Sequence, residues 1–103
     1  MKIKDFLEEN KGKNFVIEVE NGIIKKATIE EMNYEIKEDE LYIISKINLD
    51  FAVINLNIVR NLNANSGNIV IFLEDKKETK IKISVIRIKT WKNFSNVYIH
   101  WII

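Results

Sequence analysis

A chain of 103 residues supports one domain with one modest core. It is 47% hydrophobic and 30% charged, the balance of a globular rather than a disordered chain. Having no Cys excludes disulfides, thiolate chemistry and cysteine-based zinc sites, and no apolar run approaches the ~18 residues of a membrane span. Met1 leads into KIKDFLEEN, with charges where a signal peptide needs its apolar segment, so a cytoplasmic location is expected. The net charge of +1 is unevenly spread: residues 1–50 carry −4 and residues 51–103 carry +5. A split of this kind steers an acidic partner to one face, or reflects sheet faces that pair across strands. Ile, Val, Phe, Tyr and Trp are strand formers. With no Pro and three Gly, turns must lean on Asn and charged residues.

Lys2 to Asn10 reads as a short helix, with Ile3, Phe6 and Leu7 on one face and Gly12 just past its end. About two turns of helix do not stand alone in water, so this one must dock on a sheet. Asn14 to Glu20 alternates as a strand, and Asn21-Gly22 predicts a type I′ hairpin turn with positive φ at both positions. Ile23 to Glu31 returns as the second strand, and Met32 to Ile36 extends it after a bend. Lys37 to Glu40 is a charged turn. Leu41 to Ile47 is a third strand, broken by Asn48-Leu49-Asp50. Phe51 to Leu62 is a fourth, with Ile54, Leu56 and Ile58 opposite Asn55 and Asn57. The alternation slips at Ile58-Val59, which predicts a bulge or a strand end there. Asn61 to Asn68 reads as a loop whose Asn and Gly supply turn geometry.

Ile69 to Leu73 is apolar without a break, the pattern of a strand covered on both faces. Ile69, Ile71 and Leu73 are expected on one buried face, and Val70 and Phe72 on the other, beneath Ile3, Phe6 and Leu7. Glu74 to Glu78 is a charged turn. From Thr79 the chain alternates, with Lys80, Lys82 and Ser84 opposite Ile81, Ile83 and Val85. A bulge at Val85-Ile86 would bring Lys80, Lys82, Arg87 and Lys89 onto one side as a basic stripe. Such a stripe tracks a phosphate backbone or meets an acidic protein surface; the plain alternative is a solvated face balanced by Glu from a neighbouring strand. Thr90 to Asn96 is a turn, and Val97 to Ile103 a last strand. There Tyr98, His100 and Ile102 line one face as a candidate interface, and Val97, Ile99 and Trp101 point inward.

Catalytic chemistry finds little support. His100 is the only His, and no hydroxyl has the spacing of a triad. Glu30-Glu31 and Glu38-Asp39-Glu40 fall in turns, where adjacent carboxylates are solvated rather than set apart as an acid and a base. The three glycines are isolated, which excludes a phosphate loop. The chain is therefore expected not to be an enzyme and to need no cofactor and no metal.

The helix followed by GKNFVIEVENGIIKKATIEEMN, and later INLNIVRNL, resembles the Sm-like family of small five-stranded barrels over residues 1–62. The matching positions are the Asn21-Gly22 turn and Val59-Arg60-Asn61, where Asn61 replaces the family's Gly. The resemblance implies a ring-forming RNA binder, with Arg60 as the ligand position that carries over.

The fold expected is mainly β (α+β): a short N-terminal helix docked on a curved antiparallel sheet or small open barrel of six or seven strands, in one domain. The expected role is non-catalytic association with a macromolecule. Abundant Lys, Asn and Ile suggest AT-rich coding, which fits a phage or mobile-element protein that inhibits a host factor such as a nucleic-acid-guided defence complex. A protein partner is the first expectation. The alternative is an RNA or single-strand binder on an Sm-like barrel, and self-assembly as a homo-oligomer is the third. No membrane partner is expected.

Overall fold

The computed structural model describes residues 2–47, 50–65 and 67–86. One helix, α1 (Lys2–Glu9), precedes eight strands: β1 (Phe15–Glu20), β2 (Ile24–Ile29), β3 (Met32–Lys37), β4 (Glu40–Ser45), β5 (Phe51–Asn55), β6 (Val59–Ala64), β7 (Asn68–Leu73) and β8 (Lys80–Val85). They form two antiparallel sheets, one of five strands in the order β2-β1-β8-β7-β6 and one of three in the order β3-β4-β5. The fold is mainly β, as the strand-forming composition requires, and the sheets do not close into a barrel.

The count exceeds six or seven because two long strands are each split at a corner. Between β2 and β3 the chain turns at Glu31, whose φ is 46°. The Asn14 side chain accepts from the Glu31 N–H at 3.0 Å, and the Ser45 hydroxyl donates to the Glu30 carbonyl at 2.7 Å. Between β5 and β6 a single 3-10 turn, Leu56–Ile58, replaces two-residue alternation by a three-residue repeat. Asn55 caps it by accepting from Asn57 N–H. This is the slip that the sequence shows at Ile58-Val59. A register shift between Val59 and Asn61 follows directly.

Two turns differ from expectation. Glu20 pairs with Ile24, so the first hairpin has a three-residue loop, and only Gly22 has positive φ (103°). A type I′ turn needs two such residues, and Asn21 is not one. The loop expected at Asn61 to Asn68 is shorter, since β6 runs to Ala64. Asn65 builds what remains, accepting from the N–H groups of Gly67 and Asn68.

The helix and both sheets contribute to one core. Ile3, Phe6 and Leu7 meet Phe15, Ile17, Ile69, Ile71, Ile81 and Ile83 of the larger sheet and Met32, Leu41, Ile43 and Ile54 of the smaller. Phe6 and Phe15 pack edge to face with ring centroids 6.0 Å apart. Buried Asn10 closes the helix by donating to the Phe6 carbonyl at 2.8 Å. Gly12, at φ 87°, then lets the chain reverse, and its N–H donates to the Met32 carbonyl. Tyr34 donates its hydroxyl hydrogen to the Glu8 carboxylate, tying α1 to β3. That bond holds the phenol above the usual tyrosine range, with burial and the charges of Glu8 and Asp5 adding to the effect.

Ile69, Ile71 and Leu73 are buried on one face of β7, as expected. Val70 and Phe72 are not under the helix; they are half-buried on the opposite face. Helix and small sheet lie on the same side of β7, and among the described residues no second layer covers its outer face. An unbroken apolar run does not distinguish these arrangements, because it carries no alternation to say which side is open.

Candidate functional site

The registers of the larger sheet set out its outer face as cross-strand rows. One row reads Ile24, Glu20, Lys80, Phe72, Asn61, and the next Lys26, Glu18, Lys82, Val70, Asn63. Lys80 and Lys82 are exposed, as expected for one side of β8. Each sits directly opposite a glutamate of β1, Lys80 by Glu20 and Lys82 by Glu18. Opposite charges in such pairs attract, and the four side chains line one shallow depression. β1 thus places a glutamate beside each of these two lysines, as the plain alternative to a basic stripe expects for this part of the face. The β8 register runs unbroken to Val85. Arg87 and Lys89 lie outside the described residues, as do Tyr98, His100 and Ile102 with the whole expected last strand.

Arg60, taken from the family resemblance, lies on β6 at the register shift and is exposed. An extra residue at a bulge re-aims its side chain. Arg60 joins Lys77, Lys80, Glu20, Glu78 and Gly22 around half-buried Phe72 in a groove of about 380 Å³. The turn before β8 holds part of this wall in place. The Asp75 carboxylate accepts from the Thr79 hydroxyl at 2.5 Å and from its N–H at 2.8 Å. Those bonds, with the N–H groups of Lys77 and Glu78 nearby, hold the Asp75 carboxyl below the usual range. The structure thus brings together Arg60 and Lys80, which are 20 positions apart in the sequence.

The smaller sheet presents a different surface. Its outer rows are Phe51, Ile44, Asn33 and then Val53, Tyr42, Glu35 and then Asn55, Glu40, Lys37. Phe51 is 64% exposed and Val53 42%, with half-buried Ile44 and Tyr42 beside them. Around this apolar centre lie Glu35, Lys37 and Glu40. Lys37 pairs with Glu35 at 3.6 Å, and its ammonium lies 5.9 Å from the centroid of the Tyr42 ring. An exposed apolar patch rimmed by polar groups marks an interaction surface. Sequence reasoning missed it, yet a signal was present. Phe51 and Val53 share the parity of Asn55, on the face opposite Ile54.

Among the described residues no cluster of three or more acidic or His side chains is placed to hold a metal ion, and no helix is long and apolar enough to cross a membrane. Glu31, Glu38, Asp39 and Glu40 are exposed. Set against known protein families, curated proteins and solved structures, the chain matches none of them.

Proposed function

We propose that this is a non-catalytic binding protein that acts by covering the surface of a protein partner, and that the outer face of the three-stranded sheet is the contact. The observation that carries the reading is Phe51, a large aromatic left largely in water at the start of a regular strand. Val53, Tyr42 and Ile44 extend it into a patch along paired strands. Aromatic residues at the centre of a patch with a polar rim are the usual anchors of protein interfaces. The rim, with Glu35, Glu40 and a Lys37 already paired to Glu35, argues for a protein over a polyanion. Covering a surface is also how an inhibitor of a host factor works, and that is the specific role we favour.

The test is comparative capture with the full chain. Wild type and Lys80→Gln/Lys82→Gln should retain the same protein partner. Phe51→Ser/Val53→Ser should lose it, each anchor being worth about 2 kcal/mol or more. Retention by the Phe51/Val53 variant removes the proposal.

The groove around Phe72 favours a second reading, a single-strand nucleic-acid contact in which a base stacks on Phe72 beside Arg60, Lys77 and Lys80. Glu20 and Glu78 in the same groove oppose it. Nucleic acid that co-purifies with wild type, and binds Arg60→Gln/Lys77→Gln with a salt slope lower by about 0.7–0.9 per lost contact, would favour this reading.

A further inference from the structure

Among the described residues four strands lie at sheet edges: β2 and β6 in the larger sheet, β3 and β5 in the smaller. An open edge offers unpaired backbone groups to any other chain, and proteins protect such edges with charges, bulges or cover. Three of the four carry a protective device. β2 (IKKATI) has consecutive exposed lysines, Lys25 and Lys26, one on each face. β6 (VRNLNA) has the register shift with exposed Arg60 inside it. β3 (MNYEIK) has the Glu35–Lys37 ion pair, and at Met32 its backbone is bonded in both directions to the Gly12-Lys13 segment. β5 has none of these. Its sequence is FAVIN, it has no charge, and its register with β4 is unbroken over all five pairs.

We infer that β5 is a dimerisation edge, and that its occupant is β5 of a second copy, paired antiparallel about a twofold axis at Val53. The edge is self-complementary in that arrangement. Val53 meets its own equivalent on the axis, exposed Phe51 lies opposite the partner copy's exposed Asn55, and half-buried Ala52 lies opposite its Ile54. Large residues thus face smaller ones on both sides of the ladder, and no like charges meet. The same operation at β2 would bring two Lys25-Lys26 pairs together, which costs energy at that edge. Joining two β5 edges makes one six-stranded sheet, β3-β4-β5-β5-β4-β3. The two patches of Phe51, Val53, Tyr42 and Ile44 then become one continuous surface across the pair. The inference goes beyond the partner surface proposed above, since it concerns the edge and is read with the purified chain alone.

The absence of Cys makes the test clean. Sedimentation of the full chain should show a dimer at high-micromolar concentration. Val53→Lys, at an exposed position, should stay folded by circular dichroism and weaken the dimer by about tenfold or more, because like charges then face each other on the axis. Phe51→Cys chains mixed with Asn55→Cys chains and mildly oxidised should give the mixed disulfide in excess of either homodimer. Directly opposed residues in an antiparallel pair are about 4.5–5.5 Å apart, within disulfide reach, whereas two Phe51 residues would lie ~14 Å apart. Thr28→Cys on the β2 edge should not cross-link to itself. A monomeric wild type, an unaffected dimer in Val53→Lys, or cross-links in statistical proportion would each overturn the inference. Loss of partner capture with the dimer intact would instead count only against the proposed function.

Discussion

Lys80 and Lys82 on β8 and Phe51 and Val53 on β5 occupy the same kind of position. All four are alternate residues of a strand, turned away from the core. On β8 the cations are answered by Glu18 and Glu20 one strand away. On β5 the apolar side chains gain only partial cover from Ile44 and Tyr42. The more conspicuous feature in the sequence, a run of alternating lysines, therefore faces opposite charges within the chain. The less conspicuous one is not matched in this way among the described residues. A surface group points to a partner when its own fold leaves it uncompensated, and charge alone does not establish that.

The comparison assumes that both outer faces rest on one shared interior, and the largest expected effect tests this. Phe15 is fully buried, with Phe6 against it, in the core that both sheets build. Phe15→Ala should cost about 3–5 kcal/mol in chemical denaturation. It should also lower hydrogen-exchange protection in β4 as much as in β1. A loss confined to β1 and its neighbours would mean two separate cores.

Phe72→Ala sharpens the contrast between inner and outer positions on one strand. The ring is only half-buried, on a face that no second layer covers among the described residues. The expected cost is about 1–2 kcal/mol, part of the full burial value of a large apolar side chain. A cost as large as that at Phe15 would show the outer face to be covered after all.

Reversing a charge tests the compensation directly. Lys82→Glu places a carboxylate opposite Glu18. It should destabilise by about 0.2–1 kcal/mol, and adding Glu18→Lys should restore the loss. If the double exchange recovers nothing, the β1–β8 pairs are not coupled, and Lys80 and Lys82 are available to a partner.

The smallest effect is read from the pH dependence of stability. The folded-state pKa of Asp75 is lowered by its bonds to Thr79. Its contribution to stability is therefore present above the ordinary aspartate range, ~3.9, and is lost as pH falls through the lower folded value. Asp75→Asn should lower the melting temperature slightly at neutral pH, match wild type below the folded pKa of Asp75, and so flatten the acid limb. An unchanged acid limb would indicate that the turn before β8 does not depend on the charge.

Much of the fold was legible in the chain. The helix was marked by Ile3, Phe6 and Leu7 with Gly12 behind them, and most strands by alternation between charged turns. The corners were harder to read. Glu31 takes a positive φ with neither Gly nor Pro nearby to announce it, held by Asn14 and Ser45 from distant parts of the chain. The open side of β7 was invisible because Ile69 to Leu73 has no phase. The patch on β5 was hidden by a related property. Phe51 to Ile54 is apolar throughout, so only its parity with Asn55 revealed which residues would face water. The meeting of Arg60 with Lys80 depended on the β6–β7–β8 register, which no local pattern specifies.

The pairing of β1 with β8 has a kinetic consequence. Phe15 and Val85 are partners, although they stand 70 positions apart in the chain. The hairpins β1–β2, β3–β4 and β7–β8 close through short loops, but the central seam of the larger sheet waits for nearly the whole described chain. Long-range closure costs entropy before any contact repays it, which slows folding. During synthesis β1 is made early and then stands with one edge open until residue 85 emerges. In that interval its unpaired edge is a site where the nascent chain is exposed to misassembly.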